Sequence, residues 1–384
     1  MSVISAIRLS SRTSVAFAAL GLYWGCFAAY IPAIKANLDV GDGLFGVLLL
    51  GTALGLVTSM WLAPRVDRAL GARAMQVAAI LFGLVTVLPG AAATPLTFVI
   101  AVVVVGAASG LLDVVMNARV SALEAAAGRP LMNANHGMFS LAYGIAAVGA
   151  GMAREGGVPP SLALGAVGAI LVLCAVSLRL NIGPGPEHED HHHAGFPVVP
   201  VLLCGGIVLI AFMADSTVES WSAIHIERTL GGRAAEGAFG PATIGFTMAI
   251  GRFSGQALSE KLREVTVILW ASGLSAVGVL IAAFAATPVI AYVGFGILGL
   301  GVSVVGPIGL AIVGRIVPPR YRTEAISRAA VIAFSGFFVA PVLMGGLSEL
   351  FGLRWAFASV AVLLLLAVPL SLTVSRRYLS DGRG

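Results

Sequence analysis

The sequence predicts an all-α membrane protein, with twelve transmembrane helices arranged as two pseudo-repeated six-helix halves. Three observations predict it. First, the 384 residues are 58% hydrophobic and only 11% charged, whereas soluble globular proteins carry roughly 25% charged residues. Second, the apolar residues come in runs of about 20, enough helix to cross ~30 Å of hydrocarbon. Third, short motifs recur in order between the two halves of the chain.

The spans are expected near 14–36, 43–63, 74–93, 96–118, 131–153, 160–180, 197–222, 238–260, 265–286, 288–313, 325–348 and 352–374. No small-residue cleavage site follows the opening "MSVISAIRLSSRTS", so the run from Ser14 reads as a retained first span. The longest connection, "NIGPGPEHEDHHHAGF" at 181–196, is polar and rich in Gly, Pro and His, as a linker should be. It divides the chain into a six-helix unit at 1–180 and another at 197–384. Its "HEDHHH" reads as solvated, because adjacent histidines without a shaped site hold metal weakly. No metal or cofactor is expected. Cys26, Cys174 and Cys204 all fall in spans and read as packing residues.

The net charge of +5 does not point to nucleic acid, because the basic residues sit in short loops. There they set orientation. With a cytoplasmic N-terminus, only Lys35, Arg154, Arg228, Arg233 and Arg354 fall outside, and Arg252 and Arg328 lie within helices. The remaining Lys and Arg lie inside, so both termini are expected in the cytoplasm of a multi-pass inner-membrane protein.

The repeat has an offset of about 195 residues. "GLFGVLLLG" (Gly43 to Gly51) and "GAFGPATIG" (Gly237 to Gly245) share G-x-F-G-x-x-x-x-G. Arg119 in "NARV" aligns with Arg315 in "VGRI", and Phe139-Ser140 with Phe334-Ser335. Ordered matches at nearly one offset point to duplication. Two parallel six-helix halves are the architecture of the major facilitator superfamily, in which the substrate sits near the midplane between the halves. Gly251 and Gly255 form a G-x-x-x-G pair suited to close helix approach, and Gly144, Gly149 and Gly151 serve similarly.

Ionisable residues inside spans mark candidate sites, since each costs about 3 kcal/mol at mid-bilayer by insertion scales. Asp113 and Asn117 are four apart and share a face of span 4. In "LMNANHGMFSLAYG" of span 5, Asn133, His136, Ser140 and Tyr143 make a polar stripe. Spans 4 and 5 are expected to be antiparallel neighbours, placing Asp113 and His136 at comparable depth. The group then reads either as proton coupling and substrate contact or as a neutral network locking two helices. In span 7, Asp215, Glu219 and Ser222 share a face beside Trp221. They are expected in the outer third, as a gate or second protonation site or as a wetted helix end under an interfacial Trp. Arg252 pairs with an acid, binds an anionic substrate, or snorkels to the cytoplasm as a structural group. Tyr23 and Trp24 in span 1 belong to an aromatic stripe that reads as cavity lining or as packing.

"APRVDRALGAR" at 63–73 resembles the superfamily's loop motif G-x-x-x-D-R-x-G-R-R, with Asp67 and Arg68 in place. It lacks the first Gly and carries one added residue before Gly71. The likeness implies an inner gate. The corresponding "SEKLRE" reads as too degenerate to carry the motif.

"YWGCFAAYIPAIKANL", "GLLDVVMNARV…GRPLMNANHGMFSL", "ESWSAIHI", "GLGVSVVGPIGLAIVGR" and "FSGFFVAPVLMGGLSELFGLRWA" resemble the fucose-permease-like branch of the major facilitator superfamily. The resemblance is greatest to its bacterial rhizopine-transport-like inner-membrane subgroup. In fucose permease a span-4 acid followed four residues later by Asn is implicated in proton coupling, and Asp113 and Asn117 match that pattern. Span 1 here has no counterpart of that permease's further acid. Span 5 also lacks the G-x-x-x-G-P motif of drug/proton antiporters.

The expected function is proton-coupled symport of a small organic solute, with sugars and polyols as candidates, by a monomer in the lipid bilayer. The alternative is a proton-driven efflux antiporter. An enzyme is not expected, because neither H-E-x-x-H nor G-x-S-x-G is present. A channel is disfavoured by the repeat around a central site.

Overall fold

The computed structural model describes residues 2–182, 196–258 and 264–379. The "HEDHHH" segment therefore lies outside the described residues. Fifteen α-helices follow one another: α1 Val3–Leu9, α2 Ser11–Leu38, α3 Asp42–Leu70, α4 Ala74–Val85, α5 Leu88–Ala91, α6 Pro95–Ala127, α7 Met132–Glu155, α8 Pro160–Ala175, α9 Val198–Ile224, α10 Ala234–Leu258, α11 Glu264–Ala283, α12 Pro288–Ile316, α13 Arg322–Phe334, α14 Gly336–Phe351 and α15 Leu353–Val374. Twelve crossings result, because α4 with α5 makes one span and α13 with α14 makes another. The breaks fall at Pro89, which opens α5, and at Ser335, whose hydroxyl bonds back to the Ile332 carbonyl at 2.6 Å.

Eight helical stretches are long and apolar enough to cross a membrane by length and composition, one of them running from Asp42 to Ala91. The other crossings have specific reasons for falling short. α8 is short, and α7 and α10 are too polar along their length, which is where the interior polar residues lie. Observed helices overrun most expected spans: α6 ends at Gly128 in the left-handed region (φ +61°) and begins with a capping box between Thr94 and Thr97. The short α1, ahead of the first span, was not anticipated.

α2 packs against α7, α3 against α6, and α4 against α6 and α8; in the second half α11 packs on α12 and α15, and α9 on α12 to α15. The halves meet chiefly through α7 on α10 and α3 on α14, with α2 reaching α9 and α10. The repeat relates these two contacts, since α3 corresponds to α10 and α7 to the α13–α14 span. At Gly46 of α3 the approach is close: a Cβ there would stand 2.3 Å from the Pro341 carbonyl of α14. The chain begins and ends at the same end of this bundle, here termed the terminal end; the opposite end is the far end.

The arrangement corrects one expectation. α2 lies between α6 and α7, which scarcely touch. Spans 4 and 5 are sequential but not side by side. Counting along each helix from the terminal end, Asp113 stands roughly 15 Å deeper than His136, at 1.5 Å per residue.

Candidate functional site

A small cavity lies where α7 of the first half meets α9 and α10 of the second. α7 contributes Phe139, Ser140 and Tyr143, α9 contributes Asp215 and Glu219, and α10 contributes Ile244, Met248 and Arg252. Its volume of about 10 Å3 suits roughly one water, so the halves leave no room there for a solute in this conformation. α9 runs on through a π-turn at His225–Thr229. That extension moves Asp215 to the middle of the helix and away from the outer third where the sequence placed it.

Arg252 does not snorkel. Its Nη1 crosses to the other half, donating to Ser140 Oγ and to the His136 carbonyl at 3.3 Å. It lines the same cavity as Asp215 and Glu219. Tyr143 Oη and Asp215 Oδ1 are buried without a hydrogen-bond partner among the described residues. Orphaned buried polar atoms are rare in folded proteins and call for an explanation. Here both line one cavity with an arginine and a second acid. Fully ionised, the two acids and one guanidinium leave one negative charge in excess, and a single proton or cationic group cancels it.

The division of labour is asymmetric. The first half supplies hydroxyls, and the second supplies all three charges. At the offset of the Gly43 and Gly237 motifs Arg252 corresponds to Thr58, and about 195 residues before Asp215 stands Leu20, so neither charge has a charged counterpart in the first half.

The remaining sequence candidates are distributed as follows. Asp113 accepts from Asn117 Nδ2 at its carbonyl (2.8 Å) and at Oδ1 (3.1 Å). The α6 stripe that carries them also carries Gly106 and Gly110, which abut Thr52 and Ser59 of α3. Asp113 does not line the cavity, and the structure does not bring it to His136. The His136 ring stands edge-on to Phe17 at 4.8 Å. Asn133 is half-buried in the first turn of α7. Its neighbour Asn135, not singled out by the sequence, is the residue that ties helices together. It accepts from Thr13 (2.9 Å) and Ser14 (3.1 Å) and donates to Ser10 (3.0 Å). The helix-locking network thus joins α7 to α2, not to α6.

Tyr23 is fully buried and packs on Trp24, Phe27 and Phe82 inside the first half. Trp24 is half-buried beside it. Trp221 is also fully buried, edge-on to Phe45 of α3 at 6.0 Å, so it is not interfacial. At the terminal end, Asp67 pairs with Arg119, which also donates to the Gly71 carbonyl at 3.0 Å; Arg68 is exposed on the last turn of α3. Of "SEKLRE" only the last residue, Glu264, lies among the described residues, and it pairs with Arg315.

The far end holds a feature that the sequence did not disclose. Asp42, at the start of α3, pairs with Arg228 of the other half (Nη1 to Oδ1, 2.7 Å) and with Lys35 (3.0 Å), and accepts from Ser348. Arg154 pairs with Glu227, and Arg233 with Glu155 at 2.9 Å. All three inter-half pairs close this end of the cleft. The fifth cation, Arg354, caps the Ala283 and Ala285 carbonyls. Every cation that broke the positive-inside pattern is therefore employed here, which is the signal that would have revealed the closure.

Residues 204–382 match the Major Facilitator Superfamily family model. The chain is 29% identical over 369 residues to an uncharacterised MFS-type transporter of Yersinia pestis, covering 95% of each chain. It is 27% identical over 353 residues to membrane protein MosC of Rhizobium meliloti, covering 89% of this chain and 84% of that one. Among solved structures, it resembles a bacterial homologue of the human lysosomal transporter Spinster, in an inward-facing and occupied conformation. That match has a TM-score of 0.73 at 18% identity and covers 97% of each chain. These findings agree on an all-helical, multi-pass fold like that of major facilitator transporters.

Proposed function

We propose that this major facilitator transporter moves a small polar organic solute by alternating access in symport with protons. The observation that carries the reading is the inter-half cluster of Arg252, Asp215 and Glu219 facing Ser140 and Tyr143. A group shared between halves changes its surroundings when the halves rock, as a transported site must. Hydroxyl and carboxylate partners suit a solute with several hydrogen-bonding groups, such as a sugar or polyol. The excess negative charge gives protonation of Asp215 or Glu219 a direct role in neutralising the site.

Asp113, which matches the coupling acid implied by the resemblance to fucose permease, serves as a second protonation site in this scheme. Its Asn117 partner on the same helix face supports that assignment. His136 positions Arg252 through its carbonyl, and Asn133 lies at the terminal approach to the site. Trp221 packs α9 against Phe45 of α3, and Tyr23, with Trp24 beside it, packs α2 against Phe82 of α4. Asp67 and Arg68 gate the terminal end. The positive-inside distribution makes that end cytoplasmic, and the bacterial relatives support an inner-membrane setting. One chain supplies both sides of the site, so a monomer suffices.

The test is uptake into liposomes under an imposed pH gradient. Accumulation driven by an inward proton gradient supports symport. Accumulation driven only by an outward proton gradient, with lipophilic cations as substrates, assigns the alternative of efflux antiport.

A further inference from the structure

A second polar concavity lies outside the transport site, at the terminal end of the first half. It is an open cleft of about 420 Å3 between the start of α2 and the stretch following α8. Arg12 and Arg179 line it, with the hydroxyls of Ser11 and Ser177 and the apolar walls of Val15 and Val176. Arg12 Nη1 donates to the backbone carbonyl of Arg179, so the two arginines that line the cleft sit side by side. Like charges brought together without a counter-ion repel, and among the described residues neither makes an ion pair with a carboxylate. The separation of functions within the cleft is also informative. Charges and hydroxyls lie toward the chain termini, while the valines lie one turn deeper, toward the apolar length of each helix.

We propose that this cleft binds the phosphate of an anionic phospholipid, with the two guanidinium groups and the Ser11 hydroxyl on the phosphate and an acyl chain along Val15 and Val176; the Ser177 hydroxyl already donates to the Cys174 carbonyl. Arginine suits the part because its planar fork donates to phosphate oxygens in pairs. Basic pockets between transmembrane helices on the cytoplasmic side are where acidic headgroups are held. The shared chemistry of lipid headgroup and free phosphate is a tetrahedral oxyanion. The valine walls favour the lipid.

The test uses the whole purified chain in neutral detergent and measures retention of added phosphatidylglycerol by native mass spectrometry, with phosphatidylcholine as the neutral comparison. Wild type is expected to retain phosphatidylglycerol selectively. At about fivefold per guanidinium, Arg12→Gln with Arg179→Gln should weaken retention roughly thirtyfold, while Arg12→Lys with Arg179→Lys should keep most of it. The melting temperature in neutral detergent alone checks that each variant is folded. Equal retention of phosphatidylglycerol by wild type and the folded double Gln variant overturns the proposal. Displacement of the lipid by millimolar inorganic phosphate also overturns the lipid source. Failure here would leave the transport site untouched, because no cavity residue is altered.

Discussion

Arg252 illustrates what a single residue discloses and what it withholds. An arginine in an apolar run marks a site, because hydrocarbon tolerates it only with partners. The sequence therefore exposed Arg252, Asp215, Glu219 and Asp113 as candidates. It could not say which of them meet, because that depends on which helices are neighbours. Asp113 and His136 looked adjacent through a four-residue loop, yet α2 separates their helices. Asn135 was passed over because it falls off the Asn133–His136–Ser140–Tyr143 stripe, although it bonds to Thr13, Ser14 and Ser10 at the start of the first span. Two predictions belong to this scale. Arg119→Ala should lower the melting temperature far more than Arg315→Ala. Arg119 and Asp67 are buried, and breaking a buried pair costs about 3–5 kcal/mol, whereas Arg315 is 56% exposed and exposed pairs are worth about 0–1 kcal/mol. Equal melting shifts would count against the asymmetry. Asp113→Asn should abolish pH-driven accumulation while sparing counterflow exchange. Loss of both would assign Asp113 to substrate binding or folding instead of coupling.

Helix pairs carry the conformational logic. The interface is built from α7 on α10 and α3 on α14, two contacts that the repeat makes equivalent. At the far end the second contact depends on Asp42, on its cationic partners and on the absence of a side chain at Gly46. Asp42→Asn removes the charge that holds Arg228 and Lys35, and Gly46→Ala pushes α3 off Pro341. Both should favour opening of the far end. A cysteine replacing Met248 in the cavity, with Cys26, Cys174 and Cys204 replaced by Ala, reports on this opening. An impermeant maleimide added from the far side should label it severalfold faster in either variant. Unchanged labelling would mean that the pairs do not restrain the closed state. None of this was legible from spacing alone, because salt links between halves join residues far apart in sequence.

At the scale of the whole molecule, most of the architecture was legible. Long apolar runs, alternating loop charges and an offset repeat specify twelve crossings in two halves through burial and backbone satisfaction in lipid. What remained hidden were the breaks near Pro89 and Ser335 and the length of α9 through its π-turn, which set the depth of Asp215. The central claim is that one cavity between the halves binds the transported solute through Arg252 and the two acids of α9. The most direct measurement is a thermal-shift screen of purified wild-type protein and Arg252→Ala against sugars, polyols, amino sugars and lipophilic cations. The account predicts at least one hydroxylated solute that raises the melting temperature of wild type and leaves that of Arg252→Ala unchanged. A solute that is transported by the wild type and stabilises both proteins equally would contradict it.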